Sequence, residues 1–354
     1  MTTLQNNAST TPRCLSFKWV GMVGILIAVV LAALCIGRYP LPLSHVSSLL
    51  LSTVTPDAWS HYLADWTDVE ERVVMQVRMP RVLMAMIVGA SLAMCGAALQ
   101  GAFRNPLVGP QILGISSGAA LGGCIAILAF SSMMATMGLS FAGGLIAVAI
   151  VYLLARFERR TTMLMLILAG VVTSAFFSAF ISLVTYFADP NDTLPAIVFW
   201  LMGSFATASY FKLGAIILPV GLGMLLLFGL RFRINVLSLG DETARALGVA
   251  VEPLRWMLLG CVTLVVSASV AVSGTVGWVG LVVPHVARLV VGPDHRVLLP
   301  ASALIGASYM VIVDTVARSA TTAEIPLGVI TAIIGAPIFA WLLRGMQAKG
   351  ASHD

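Results

Sequence analysis

Ten apolar runs constrain what this chain can fold into more than any motif it contains. They fall at 19–37, 82–103, 111–131, 138–155, 162–187, 213–230, 256–273, 276–291, 297–313 and 325–343, and all but 276–291 are free of Asp, Glu, Lys and Arg. A helix needs roughly 20 apolar residues to cross a hydrocarbon core of about 30 Å. Apolar and polar residues do not alternate along the runs, so barrel strands are excluded and helices remain as the structure that satisfies its backbone inside lipid. Of the 354 residues 59% are hydrophobic and 10% are charged, against roughly 25% charged in soluble domains. A water-facing surface cannot be built from that composition, whereas lipid removes the need for one. The expectation is an all-α, polytopic membrane protein with about ten transmembrane helices.

Residues 1–18 are rich in Ser, Thr and Asn and read as a disordered cytoplasmic tail. Residues 19–345 read as one transmembrane domain and 346–354 as a cytoplasmic C-terminal tail. The run from Trp19 to Ile36 is long for a signal sequence and lacks a small-residue cleavage site, so it is read as a retained first span. Run 276–291 carries Pro284, His285 and Arg288 and is the one most open to being broken or re-entrant.

Loop charges set the orientation. With the N-terminus in the cytoplasm, fourteen of the twenty Lys and Arg fall inside; Arg38, Arg72, Arg78, Arg81, Lys212 and Arg318 fall outside. The asymmetry favours both termini in the cytoplasm and an even number of spans. The net charge of +5 therefore records orientation and points to lipid rather than nucleic acid as the surrounding partner.

Several chemistries are excluded. The five cysteines are scattered, with no C-x-x-C or Cys/His cluster, so neither a zinc site nor a disulfide framework is expected. No G-x-x-x-x-G-K-[ST] loop cradles nucleotide phosphates, and the five histidines lie far apart without a hydrolase or metalloprotease motif. No catalytic residue, metal or cofactor is expected. Acidic residues sit at loops and span ends, where an ion-coupled carrier keeps them near the midplane. A secondary carrier driven by an ion gradient is thus the alternative to a transporter whose energy comes from elsewhere.

Two soluble-facing segments stand out. Arg38–Val77 is a long outer loop with an acidic stretch at 65–71. The inner loop 231–253 contains a short amphipathic helix, with Ser238 or Asp241 as its N-cap and Gly248 ending it. That helix fits either a partner's handle or a solvated connector.

The densest local signals are two blocks. The first holds R-M-P-R (78–81), R-N-P-L (104–107) and L-G-I-S-S-G-A (113–119). The second holds V-P-H-V-A-R (283–288), D-H-R (294–296), D-T-V-A-R (314–318), E-I-P-L-G (324–328) and G-A-P-I-F (335–339). Read as residues alone, Arg78 and Arg81 anchor a helix end around Pro80, and Arg318 forms an i,i+4 pair with Asp314. Together the blocks resemble the FecCD family of binding-protein-dependent permeases, and L-A-G-V (168–171) and the loop 189–204 are similar to it as well. The likeness covers about 20–345.

That resemblance implies a type II ABC importer permease architecture in the bacterial inner membrane. Two permease subunits, identical or paralogous, pair around a pathway; two ABC ATPase subunits dock on the cytoplasmic face; a periplasmic substrate-binding protein delivers the ligand. By the same resemblance Arg78, Arg81 and Arg318 dock the binding protein. Gly240, Asp241, Glu242, Ala244, Leu247 and Gly248 meet the ATPase, and Asn105, Leu107, Thr161 and Thr162 belong to the gate. Ser174, Ser178, Ser182 and Thr185 recur at helical spacing in the fifth span and read either as a wet pathway wall or as glue between helices. His285 belongs to the family pattern whatever the substrate and is not read as a haem ligand. The cargo implied is an iron chelate, with ferric siderophore first, haem second, and cobalamin or molybdate behind.

Overall fold

The computed structural model describes residues 12–53, 65–155 and 163–350. Fourteen helices and no strand occur among the described residues. In chain order they are α1 (Pro12–Cys35), α2 (Leu43–Ser52), α3 (Asp68–Phe103), α4 (Ile115–Phe130), α5 (Met133–Ala155), α6 (Met163–Phe187) and α7 (Thr193–Leu201). There follow α8 (Tyr210–Gly229), α9 (Arg231–Ser238), α10 (Asp241–Ala246), α11 (Val251–Ser273), α12 (Val279–Val291), α13 (His295–Ser319) and α14 (Leu327–Gly350). Seven of them, α1, α3, α5, α6, α8, α11 and α13, are long and apolar enough to cross a membrane. With the shorter apolar helices α4, α12 and α14 they account one for one for the ten runs, and the chain is a multi-pass membrane protein.

Burial ranks the helices from centre to rim. Of their most apolar stretches, 78% of α3 and α11 is buried, against 17% of α1 and 28% of α6. Contact in the centre depends on glycine. A Cβ on Gly89 of α3 would overlap the carbonyl oxygen of Gly306 on α13, and a Cβ on Gly306 would overlap that of Gly89. Lipid tails are as apolar as the helices, so close backbone packing rather than water exclusion holds such spans together.

Two local expectations are corrected. The acidic stretch at 65–71 starts a helix instead of belonging to a loop. Thr67 is the N-cap, accepting from the Glu70 amide at 3.3 Å, while the Thr67 amide donates to the Glu70 carboxylate at 2.7 Å. This reciprocal box satisfies two orphan amides, and the acidic side chains complement the helix dipole. Pro80 falls in the first turn of the α-helical segment Met79–Phe103 as expected, but α3 itself begins earlier, at Asp68. The turn before Pro80, Val73–Arg78, is π-helical, and that widening makes room for a ring that would otherwise strike the preceding turn. Finally, 279–291 is one unbroken helix despite Pro284. Proline cannot donate to the Gly280 carbonyl, but the Gln100 side-chain amide lies 3.5 Å from that oxygen and 3.2 Å from the Leu281 oxygen.

Candidate functional site

α3 carries candidate residues at both of its ends. Arg81 to Arg104 spans roughly 35 Å at 1.5 Å per residue, slightly more than a hydrocarbon core of about 30 Å. The two clusters therefore sit at opposite faces of the membrane domain.

At the first face, Arg78 and Arg318 converge on the last turn of α1. Arg78 donates to the carbonyls of Leu34, Cys35 (3.0 Å) and Tyr39, and Arg318 donates to that of Ala33. Ala33 and Leu34 belong to the last turn of α1, whose carbonyls lack amide partners within the helix, and cationic donors there also offset the helix dipole. The two guanidiniums meet at Gly37, where a Cβ would stand 2.7 Å from an Arg78 nitrogen and 3.1 Å from an Arg318 nitrogen. Arg81 reaches the other way. Its Nε donates to both Asp314 oxygens at 2.9 and 3.0 Å, and its two terminal nitrogens bind the Glu324 carboxylate at 2.8 and 3.0 Å. Arg318 completes the i,i+4 pair with Asp314 at 3.8 Å. All three arginines are buried, at 4%, 7% and 8% exposure.

Arg38 is the exposed member of this face, donating to the Thr322 carbonyl at 2.6 Å. Arg38, Arg78, Arg81, Arg318 and Glu324 line a cleft of about 240 Å³. With Asp314 beneath it, four guanidiniums stand against two carboxylates, and the cleft is net positive.

At the second face, α9 and α10 cross the end of the bundle. Neither Ser238 nor Asp241 caps α10. Gly240 is the N-cap with φ of 112°, a conformation that favours glycine, and Asp241 turns onto Arg255 of α11 at 2.6 Å. Gly248 does end the helix, with φ of 79°. Gly240 and Ala244 are buried, whereas Glu242, Leu247 and Gly248 are exposed, Leu247 to 60%. The predicted set thus divides into residues that seat α10 and residues that present its outer side.

The loop after α3 lies against this helix. Arg104 adopts the left-handed conformation with φ of 48°, and its guanidinium stands 3.1 Å from where a Gly240 Cβ would be. Asn105 folds an Asx turn, accepting from the Leu107 amide at 2.9 Å, and this leaves Leu107 42% exposed. Thr161 and Thr162 lie outside the described residues. A second link runs through Asn235 of α9, which donates to Asp294 at 2.7 Å and accepts from the His295 amide at 2.9 Å. Asp294 is held down to about 2, first by the hydrogen bond from the Arg296 side chain and then by the Arg296 amide and Asn235.

Between the faces, α6 carries the hydroxyl stripe. Ser178 and Ser182 are exposed, and Ser174 and Thr185 are partly buried. Ser182 and Thr185 donate to carbonyls of their own helix at 3.0 and 2.8 Å. Around them stand exposed Val171, Val172, Phe176, Phe180 and Tyr186. No group of three or more metal-ligating side chains occurs among the described residues.

Sequence reading missed Arg38, Glu324, Asn235 and Arg104 as parts of these clusters. Glu324 and Arg104 lay in plain view in the E-I-P-L-G and R-N-P-L motifs. Nothing local distinguishes Arg38 and Asn235.

A model of the FecCD transport family matches residues 25–345. The chain is 42% identical over 333 residues to a molybdate import system permease protein of Haemophilus influenzae, covering 94% of this chain and 97% of that one. It is 43% identical to a probable iron chelatin transport system permease protein of Helicobacter pylori, over 77% of this chain and 82% of that one. A solved metal-chelate type ABC transporter in an inward-facing conformation superposes with a TM-score of 0.82 at 42% identity, covering 94% of this chain and 99% of that one.

Proposed function

The chain belongs to the FecCD transport family as a permease subunit of an ABC importer, and from that premise we propose that it carries a ferric chelate from periplasm to cytoplasm. The family match over 25–345 carries the reading. Two ATPase subunits supply the energy, a second permease subunit completes the pathway, and a periplasmic binding protein delivers the ligand. The arginine cleft faces the periplasm, and α10 faces the cytoplasm with both termini.

Docking of the binding protein falls to the cleft of Arg38, Arg78, Arg81 and Arg318. Its net positive charge steers acidic residues on the incoming lobes. Arg81, saturated by two carboxylates, holds the shape of the cleft, while Arg38, exposed and bound to the Thr322 carbonyl rather than to a carboxylate, meets a partner. On the other face Glu242 and Leu247 touch the ATPase, with Gly240, Asp241 and Ala244 fixing how α10 sits. Rigid-body movement of α10 is passed to the bundle through Arg104 and Asn235. Asn105 and Leu107 are proposed as the gate on that side.

Ser178 and Ser182 of α6 face the pathway. Sparse hydroxyls among bulky apolar side chains suit the organic shell of a chelate better than a hydrated oxyanion, whose desolvation they would not offset. The second reading is molybdate, favoured by the full-length Haemophilus influenzae relative.

Reconstitution with the partner ATPase and binding protein in sealed liposomes, without an ion gradient, tests both levels. The expected result is ATP-dependent uptake of a ferric siderophore in preference to haem, cobalamin and molybdate. Uptake that ignores ATP and collapses with an uncoupler would overturn the importer reading. ATP-driven uptake of molybdate alone would overturn only the cargo.

A further inference from the structure

An apolar groove of about 760 Å³ opens between α1, α3, α8 and α13. Leu26, Met86, Ile87, Ile217, Met224 and Ala303 are among its walls. Along α8 it extends from Ile217 to Phe228, roughly 16 Å at 1.5 Å per residue. That is about half of a 30 Å hydrocarbon core, the depth of one leaflet. Gly221 opens its wall, since a Cβ there meets nothing within 4 Å.

The groove ends at a positive charge. Phe228 closes it, and the Arg231 guanidinium stacks 4.1 Å from the Phe228 ring centroid and 4.8 Å from that of Phe232. Arg231 donates to the Phe228 carbonyl at 2.9 Å and forms no ion pair among the described residues. Arg296, 5.8 Å from the Phe232 ring, adds a second guanidinium already bound to Asp294. Arg233, two residues along α9, points elsewhere, because i,i+2 positions do not share a helix face.

We propose that this groove is a binding site for one anionic phospholipid of the leaflet on the α10 side, its acyl chain lying along α8 and its phosphate on Arg231. A leaflet-long apolar slot inside the membrane domain accepts a chain, and the cation at its mouth selects a negative headgroup. The sidedness rests on the importer reading; the binding does not. A lipid here braces α8 against α13, the helix that Asn235 ties to α9.

Native mass spectrometry of the purified full-length chain in detergent, titrated with phosphatidylglycerol or phosphatidylcholine, tests the site without ATPase or cargo. The wild type should hold one phosphatidylglycerol with roughly fivefold preference over phosphatidylcholine, the contribution of about one cation near the surface. Arg231→Gln should abolish the preference, and Arg233→Gln should leave it within about twofold. Gly221→Trp should fill the groove and weaken both lipids by about tenfold, and a size-exclusion profile like the wild type's shows that the variant is folded. Unchanged lipid affinity in folded Gly221→Trp would overturn the groove. A preference retained in Arg231→Gln, or lost equally in Arg233→Gln, would overturn the headgroup site. A two-chain particle dispersed by Gly221→Trp would assign the groove to a second copy instead. Loss of the lipid with ATP-driven uptake intact, or the reverse, separates this inference from the importer reading.

Discussion

Replacing Arg81 by Met removes the centre of the ion cluster while keeping most of the side-chain volume. Asp314, whose side chain is 1% exposed, then keeps a single cation, the Arg318 Nε at 3.8 Å. Stranding one member of a buried pair costs about 3–5 kcal/mol. Unit charges about 4 Å apart at an effective dielectric near 20 give a similar figure, about 4 kcal/mol. Glu324 adds less, because its side chain is 25% exposed and water replaces part of what it loses. Arg81→Met should therefore destabilise the chain by about 3–5 kcal/mol in an SDS titration in mixed micelles followed by helical circular dichroism. Adding Asp314→Asn removes the stranded charge, so the double variant should recover about 2–3 kcal/mol relative to the sum of the singles. Strict additivity, or a loss in Arg81→Met below about 1 kcal/mol, as exposed pairs give, would refute a buried structural role for this arginine.

Three other perturbations probe separate links. Gly306→Leu drives a side chain into the Gly89 carbonyl and should cost about 1–3 kcal/mol by overpacking in the same titration; no measurable loss would contradict the close crossing of α3 and α13. Leu247→Glu should leave stability within about 0.5 kcal/mol yet weaken ATPase binding by more than about fivefold in a pull-down titration, and unaltered binding would remove Leu247 from the contact. Asp294 has a folded-state value of about 2, below its ordinary 3.8, so its stabilising contribution is full above about pH 4 and lost as pH falls towards 2. The stability gap between wild type and Asp294→Asn should accordingly stay constant from pH 7 to about pH 5 and narrow near pH 3; a gap that holds at pH 3 would refute the assignment.

Much of the architecture was legible because lipid permits so few structures. An uncharged apolar run leaves helix as its only outcome, and all ten runs became helices. Gly248 was readable for a similar reason, since few residues tolerate the left-handed turn that ends α10. The misread places are those where a distant or non-helical partner overrides a local rule. Asp68, Glu70 and Glu71 look like loop residues until Thr67 caps them into α3. Pro284 looks like a break until Gln100, some 180 residues earlier, faces the carbonyl it leaves open. Arg78, Arg81 and Arg318 were singled out by motif as a rim. The i,i+4 pair of Arg318 with Asp314 was readable, but the burial of Arg78 against α1 and of Arg81 against Asp314 and Glu324 was not, because those partners lie from 39 to 243 residues away. Arg38, adjacent in space, belongs to no motif and emerged only from the geometry.

The central claim is that the Arg38 cleft and α10 lie on opposite faces of the membrane, one turned to a delivering protein and the other to an ATPase. Single cysteines at Arg38 and Leu247, placed in a chain whose native cysteines are replaced by serine, can be labelled with a membrane-impermeant maleimide in spheroplasts and in inverted vesicles. The account predicts that Arg38→Cys reacts only in spheroplasts and Leu247→Cys only in inverted vesicles. Labelling of both positions from the same side would contradict it.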